Sequence, residues 1–205
     1  MLSSPFAFLS LVLGVVGYVN ASPLSSADSL TNAGSCIGSQ PQECTPGVNC
    51  PSPSEIDEVL ITHAPNVSVF WAGHYPANGT TIEPKAAACA AKKNGATIGM
   101  LLCQYNIKMP VKGNDPLWAH ASKTYAEQAK GIVYVTLGAS LFELATFFNL
   151  ELPTLIKNPN VTSIVSVDAG TTDFKDLCYW HCADGKHCPV VTVGIISYTA
   201  ILNFI

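Results

Sequence analysis

The chain has 205 residues, a length that suits one domain or one domain built from two lobes. Charged residues make up only 12% of it, and ten basic against fourteen acidic residues give a net charge of −4 at neutral pH. All ten basic residues are lysines. We therefore do not expect the protein to bind nucleic acid, because that function needs a basic face and usually arginine. The 48% of hydrophobic residues excludes a disordered chain.

The first 21 residues have the pattern of a secretory signal peptide. They carry no charge, and an apolar run from Phe6 to Val19 ends in the short residues that a signal peptidase reads, with cleavage expected after Ala21. A membrane anchor is the alternative, but the run is shorter than the ~20 residues that a spanning helix needs. The sequence therefore predicts a secreted, extracellular protein whose mature chain begins at Ser22.

Secretion determines how the cysteines are interpreted. An even number of cysteines in an oxidising compartment favours disulfides, here four, and the spacing leaves their pairing open. The alternative is a zinc site in the cysteine- and histidine-rich stretch 178–188, but we expect no metal because secreted thiols are usually oxidised. The eight cysteines assigned to disulfides are Cys36, Cys44, Cys50, Cys89, Cys103, Cys178, Cys182 and Cys188.

Three sequons for N-linked glycosylation follow the predicted signal peptide. They begin at Asn66, Asn78 and Asn160. A glycan at these positions requires an exposed asparagine, so each is expected on the surface.

The first part of the mature chain is predicted to alternate loops and short helices. Residues 22–53 are rich in Ser, Pro, Gly and Asn and predict an irregular, cysteine-containing arm. Ser54 is predicted to cap a short helix, and residues 67–71 alternate as an extended segment does. Pro84 is expected to open an alanine-rich helix over residues 85–93.

The middle of the chain contains the clearest helix start. Residues 98–103 are an apolar run that fits either a helix or a strand. Asp115 followed by Pro116 provides a capping side chain and a proline at the first helical position. We expect this helix to run to about Lys130.

The last part of the chain is predicted to be rich in strands. Residues 132–137 and 161–167 are apolar and β-branched, which predicts two buried strands with a helical segment over 140–148 between them. The apolar tail 190–205 is interpreted as a further strand. Its alternative is the signal for a lipid anchor.

This order of elements predicts the α/β class. We expect a single domain over residues 54–205, with a helical lobe at about 54–131. A smaller α/β lobe at 132–205 would hold a mostly parallel sheet flanked by helices.

Two tryptophans and one carboxylate are the strongest candidates for a site. Glu151 stands in an apolar stretch just after a predicted helix, where burial would perturb its ionisation. The faces of Trp71 and Trp118 can stack on a flat cationic ring. A pyridinium leaving group departs neutral and needs no acid, so one carboxylate suffices where ordinary glycosidases need two. Asp168, directly after a predicted strand, is the second candidate carboxylate.

Four motifs in order resemble the family of ADP-ribosyl cyclases and NAD glycohydrolases. They are Phe-Trp-Ala-Gly at 70–73, Thr-Ile-Glu-Pro at 81–84, Leu-Trp-Ala-His-Ala-Ser at 117–122, and Phe-Phe-Asn-Leu-Glu-Leu-Pro-Thr-Leu at 147–155. The similarity covers roughly residues 67–177. Each motif alone is weak, and their common order makes the resemblance specific.

The resemblance implies a role for each matched residue. Glu151 matches the catalytic glutamate, which binds the ribose hydroxyls and stabilises the intermediate. Trp71 and Trp118 match the tryptophans that position nicotinamide. Glu83 matches the acid that contacts the nicotinamide amide and influences cyclisation against hydrolysis, and Ser122 matches a serine near the reacting ribose.

The resemblance also implies what the protein binds. Phe148 completes the set of residues expected to bind substrate. NAD would be the substrate, so no cofactor and no metal are expected. A homodimer is the expected form of any self-association, and contact with a membrane is expected only if the tail 190–205 is an anchor signal.

Two other functions stay open at the level of sequence. The first is a non-catalytic, disulfide-rich secreted binding protein that keeps the cyclase-like fold, which Pro84 in place of the family's aspartate supports. The second is a hydrolase acting on a sugar with Glu151 and Asp168 as a carboxylate pair.

Overall fold

The computed structural model describes residues 41–73, 81–111, 115–138 and 146–182, and for residues 178–182 it describes the backbone alone. Several predictions from sequence fall outside these residues. They are the signal peptide 1–21, most of the arm 22–53, the greater part of the helix 140–148, the tail 190–205, and the positions Cys36, Asn78 and Cys188.

Five α-helices lie in the described part of the chain. In chain order they are α1 (Pro53–Thr62), α2 (Glu83–Lys92), α3 (Ile98–Gln104), α4 (Pro116–Gln128) and α5 (Leu152–Lys157). A wider π-helical turn, Phe147–Glu151, leads directly into α5. The apolar run whose type the sequence left open is therefore α3.

The helix starts follow local capping signals. The Asp115 side chain accepts a hydrogen bond from the Leu117 N–H at 2.9 Å, which confirms the predicted start of α4. At α1 the cap is Ser52, and the predicted cap at Ser54 is wrong. The Ser52 hydroxyl accepts from the Glu55 N–H, and the Glu55 carboxylate accepts in turn from the Ser52 N–H at 2.7 Å.

The described strands form two sheets. The strands are β1 (Glu43–Cys44), β2 (Val69–Ala72), β3 (Met109–Pro110), β4 (Gly131–Leu137), β5 (Val161–Val167) and β6 (Asp176–Cys182). The larger sheet has the order β2-β4-β5-β6, in which β2, β4 and β5 are parallel and β6 is antiparallel to β5. β1 and β3 form a separate parallel pair. Mixed helices and parallel strands confirm the α/β class.

Hydrophobic clusters cover both faces of the larger sheet. Successive side chains of a strand point to opposite faces. Phe70 of β2 and Val133 of β4 belong to a large cluster with α1, α3, α4 and α5. Val69 and Val167 belong to a smaller cluster with the alanines of α2. The helices therefore pack on both sides of the sheet.

The large cluster joins residues from both ranges of the predicted domain. Ile56 and Leu60 of α1 are fully buried together with Leu155 and Ile164. Strand β2 also lies within the range 54–131, yet it pairs with β4 beyond that range. The division into two lobes stays a prediction.

The cysteines only partly follow the prediction. Cys44 and Cys50 form a disulfide, and Cys103 is also disulfide-bonded. Cys89 is a free, fully buried thiol, so the prediction that all eight cysteines pair is wrong at this position. The reason is its place on α2, where its side chain packs in the smaller cluster among Ala86, Ala90 and other apolar residues.

Two of the three sequons begin at exposed asparagines, as expected for glycosylation. Asn66 lies just before β2, and Asn160 lies just before β5. Within the described ranges, no helix is long and apolar enough to span a membrane.

Candidate functional site

Glu151 is a buried carboxyl group with one polar partner on a neighbouring helix. Only 6% of the residue is exposed. Burial raises the pKa of Glu151 to about 8, and a hydrogen bond from the Ser122 hydroxyl acts in the opposite direction. The group is thus held where its charged form is costly and where the Ser122 hydroxyl stabilises that form.

The π-helical turn places Glu151 in the interior. Phe147 and Glu151 are four residues apart and both buried, whereas Asn149 between them is exposed. The Phe147 ring packs at 6.2 Å from the ring of Phe70 on β2. Beyond the turn, the Thr154 hydroxyl donates to the Leu150 carbonyl at 2.7 Å. π-Helical turns occur frequently at functional sites.

One face of α4 lies towards Glu151. Trp118, Ser122 and Tyr125 are spaced by four and three residues, which aligns them along a helix. Trp118 is half-buried against the large cluster, and its indole N–H donates to the Pro110 carbonyl at 2.8 Å. Ser122 is buried and bonds to Glu151 as described above. This spacing places the predicted tryptophan one helical turn from Ser122, the serine that bonds to Glu151.

Tyr125 is a residue of this site that the sequence analysis did not assign. It is fully buried, and its hydroxyl donates to the Ala96 carbonyl at 2.6 Å. Burial raises the pKa of Tyr125, and the negative charge of Glu151 raises it further. Its signal in the sequence was its position on the same helix face as Trp118 and Ser122.

Phe148 lies in the same π-helical turn as Glu151. Its ring meets the ring of Phe147 edge-on at 5.2 Å, and the residue is half-buried against the large cluster. It therefore belongs to the same group as Glu151.

Trp71 and Glu83 lie on the other face of β2. Trp71 packs against the smaller cluster, whereas its neighbour Phe70 packs against Tyr125 and Phe147. Glu83 is the first residue of α2, the helix that contributes half of the buried residues of the smaller cluster. Trp71 is therefore separated from Glu151 by the thickness of the strand.

Glu83 is a second buried carboxyl group. Only 6% of it is exposed, and burial raises its pKa to about 7. In the described ranges no cation lies within ion-pair distance of it. Its Oε1 would be 3.1 Å from a Cβ atom placed on Gly99 of α3, so the glycine makes room for the carboxyl group.

The predicted site residues thus form two groups, and among the described residues no contact joins one group to the other. Glu151, Ser122, Trp118 and Phe148 make up the first group. The second group is Trp71 and Glu83. Strand β2 ends at Ala72, one residue after Trp71, and the carboxyl ends of parallel strands are where ligands bind in α/β sheets. A ligand would reach both groups around this end.

Asp168 directly follows β5, as predicted. Its Oδ1 accepts a hydrogen bond from the Gly170 N–H at 2.8 Å. This is the local bond of an Asx turn, a common structural role for aspartate.

Within the described ranges, no group of three or more His, Cys, Asp or Glu side chains is arranged to hold a metal ion. The alternative zinc site was predicted in the stretch 178–188, and the side chains of these residues lie outside the part of the chain that the structure describes.

Comparison of the chain with protein-family models, with curated proteins and with solved structures gives no match.

Proposed function

We propose that the protein is a secreted NAD glycohydrolase, which cleaves the bond between nicotinamide and ribose in NAD. The observation that carries the proposal is the buried carboxyl group of Glu151, hydrogen-bonded to Ser122 one turn beyond Trp118. Four motifs in family order add support. As part of this proposal, the domain consists of the predicted helical lobe and the predicted α/β lobe.

The chemistry requires only one carboxylate. Nicotinamide carries its positive charge before the bond breaks and leaves as a neutral molecule. As the bond breaks, positive charge moves to the ribosyl carbon. A fixed carboxylate in a site of low dielectric stabilises that charge far better than water does. Water then attacks the ribosyl carbon and gives ADP-ribose, or the adenine ring attacks it and gives the cyclic product.

Each remaining residue of the first group has a role in this proposal. Trp118 stacks on the nicotinamide ring, and its indole bond to Pro110 fixes the ring plane. Ser122 holds Glu151 in place and favours its charged form. Phe148 covers the site from the side of the π-helical turn.

The second group would act on the nicotinamide end and on the choice of product. Glu83, with its pKa near 7, can accept a hydrogen bond from the nicotinamide amide or donate one to it. Trp71 lies at the end of β2 beside α2 and would complete the aromatic enclosure.

The test is direct incubation of the purified, secreted chain with NAD, with nicotinamide, ADP-ribose and cyclic ADP-ribose separated by chromatography. Release of nicotinamide in proportion to protein supports the proposal. A preparation that folds and leaves NAD intact across pH 5 to 9 contradicts it.

The second candidate is a non-catalytic secreted binding protein. It is favoured by the separation of Trp71 and Glu83 from Glu151 across β2. In that case no nicotinamide would be released, whether or not the protein binds NAD. The same experiment distinguishes the two functions.

A further inference from the structure

Two of the sequons lie at the amino end of the larger sheet. Asn66 lies three residues before the start of β2, and Asn160 immediately precedes β5. Strands β2, β4 and β5 are parallel, so their amino ends share one edge of the sheet. Val69 at the start of β2 pairs with Tyr134, which is itself only three residues from the start of β4. The two asparagines therefore lie at the same edge, with β4 between their strands.

The side-chain amides of both asparagines are exposed to solvent. Among the described residues, neither amide makes a hydrogen bond, and Asn160 bonds only through its backbone. The nearby Asn158 differs, because it is buried and its amide donates to three carbonyls at the end of α4. The fold thus uses the side chain of Asn158 and leaves the amides of Asn66 and Asn160 accessible.

Ser68, the third residue of the first sequon, carries a buried hydroxyl group. Only 1% of the residue is exposed, and the hydroxyl has no hydrogen-bond partner among the described residues. Burial raises the pKa of the nearby Tyr125 and Ser68 lowers it, but the Tyr125 hydroxyl donates its own hydrogen to the Ala96 carbonyl at 2.6 Å. A buried hydroxyl without a partner costs free energy, whereas an alanine at the same place would not. The folded state therefore gives no reason for a serine at this position.

Addition of an N-glycan gives such a reason. The sequon requires a hydroxyl two residues after the asparagine, and the chain is read before β2 has buried that hydroxyl. In the second sequon the corresponding residue, Thr162, is exposed. We propose that Asn66 and Asn160 both carry N-glycans at the amino end of the sheet, and that the Ser68 hydroxyl serves glycan addition and not the fold.

The reaction joins the asparagine side chain to an oligosaccharide carried on a lipid diphosphate. The amide nitrogen forms a bond to C1 of the sugar and loses one proton, and the lipid diphosphate leaves with the bonding electrons. This donor belongs to the secretory pathway, so the inference rests on the secretion that is part of the proposed function. It does not rest on NAD cleavage. The glycans lie at the opposite end of the strands from Ala72, the end of β2 around which a ligand would enter.

The first test maps the glycans on the full chain, expressed in a eukaryotic cell line and collected from the medium. An N-glycosidase converts each glycosylated asparagine to aspartate, which mass spectrometry of the peptides locates. We expect conversion at Asn66 and at Asn160. A secreted chain that is unmodified at either position would overturn the proposal, and a chain retained in the cell without glycans would overturn the secretion as well. Release of nicotinamide by the same preparation is a separate readout, so a glycosylated chain without it contradicts only the proposed enzyme.

The second test compares variants of the first sequon. Ser68→Ala and Asn66→Gln should both lose the glycan at Asn66 and keep the one at Asn160. After enzymatic removal of all glycans, the urea midpoint of Ser68→Ala should equal or exceed that of Asn66→Gln. Thr97→Val is the matched control, because the buried Thr97 hydroxyl accepts from the Met100 N–H at 3.2 Å and caps α3, so its midpoint should fall. A Ser68→Ala midpoint as low as that of Thr97→Val, or failure of Ser68→Ala to fold while Asn66→Gln folds, would show that the Ser68 hydroxyl serves the fold.

Discussion

Burial and a single hydrogen bond set the ionisation of Glu151. With its pKa raised to about 8, most of the group is protonated at neutral pH. A cationic nicotinamide ring nearby would favour the carboxylate, because an opposite charge stabilises the ionised form. Substrate binding and ionisation of Glu151 should therefore assist each other.

Replacing Glu151 by glutamine should remove most of the proposed activity. The amide keeps the shape but loses the charge that stabilises the ribosyl cation, and loss of one such group typically costs ~10²–10³ in rate. NAD consumption by Glu151→Gln, with folding checked by circular dichroism, measures this loss. Binding of NAD should suffer less, because the tryptophans remain.

Two carboxylate variants serve as controls for Glu151→Gln. Asp168→Asn should lower turnover only slightly, because the Asp168 side chain accepts a local hydrogen bond from the Gly170 N–H. Glu127→Gln, at an exposed position of α4 paired with Lys123 at 3.1 Å, should leave turnover unchanged. Near wild-type turnover in Glu151→Gln would show that Glu151 is not the catalytic carboxylate. An inactive Asp168→Asn would instead assign that role to Asp168.

The activity should also rise with pH through the pKa of Glu151. In the proposed mechanism the active form is the carboxylate, whose fraction increases about tenfold per pH unit below the pKa and levels off above about 8. The value of kcat/KM, which reports on the free enzyme, should follow this curve between pH 5 and 9. Glu83→Gln should keep the rise near pH 8, since Glu83 titrates near 7. A flat or falling profile would show that Glu151 is not the titrating group.

At the level of elements, local signals predicted part of the fold and tertiary contacts determined the rest. Strand β5 has the predicted bounds, and α4 starts at the predicted proline, because a β-branched run and a capped proline act locally. The Ser-x-x-acid pattern occurs at both Ser52 and Ser54, and the two readings look alike in sequence. Pro53 decides between them, since it occupies the first position of α1.

The π-helical turn and β6 could not be predicted in the same way. A π-helical turn holds one extra residue without any periodic signal, so the sequence up to Phe148 predicts an ordinary helix. Strand β6 contains no β-branched residue, and its extended form depends on antiparallel pairing with β5.

Asn158 stabilises the end of α4 from outside the helix. Its side-chain N–H groups donate to the carbonyls of Ala126, Glu127 and Ala129 at 2.9–3.1 Å, and its Oδ1 accepts from the Asn160 N–H. These carbonyls belong to the last turn and the C-cap of α4, where a helix lacks the N–H groups of a following turn. One buried side chain therefore connects α4 to the loop before β5.

Replacing Asn158 by alanine should lower the free energy of unfolding by about 1–3 kcal/mol, because buried carbonyls lose their donors. Urea denaturation of the folded protein measures the change. Asn158→Asp, which keeps the shape and one acceptor but loses the donors, should be at least as destabilising. Lys130→Ala, at an exposed position just beyond α4, should stay within about 0.5 kcal/mol. Equal effects of Asn158→Ala and Lys130→Ala would contradict the role given to Asn158.

At the scale of the whole molecule, the spacing of residues in the sequence predicts which site residues share a helix face. It does not predict how the group around Glu151 is placed relative to Trp71 and Glu83. The four-residue spacing of Trp118 and Ser122 places them on one helix face whatever the fold. The alternation in β2 likewise places Trp71 opposite Phe70. Which face of β2 would meet Glu151 depends on where α2 and the π-helical turn pack, and that is a property of the topology.

The two buried carboxyl groups make the stability of the folded protein depend on pH in an unusual direction. Ordinary glutamates ionise near pH 4.5, but burial raises the pKa of Glu83 to about 7 and that of Glu151 to about 8. Between pH 4.5 and these values, the folded chain keeps two protons that the unfolded chain has released. Stability falls with rising pH wherever the folded state binds more protons. The exposed Glu55, whose pKa the Ser52 N–H lowers, affects stability only at lower pH.

The free energy of unfolding should therefore decrease from pH 5 to pH 8. Urea denaturation at pH 5, 6, 7 and 8 measures the slope. Glu83→Gln should remove the part of the decrease that ends near pH 7, and Glu151→Gln the part that continues to about pH 8, since neither amide ionises. Glu127→Gln, with an exposed side chain, should leave the slope unchanged. Stability that stays level or increases over this range would mean that both carboxyl groups are ionised in the folded protein, and the proposed rise of activity towards pH 8 would lose its basis.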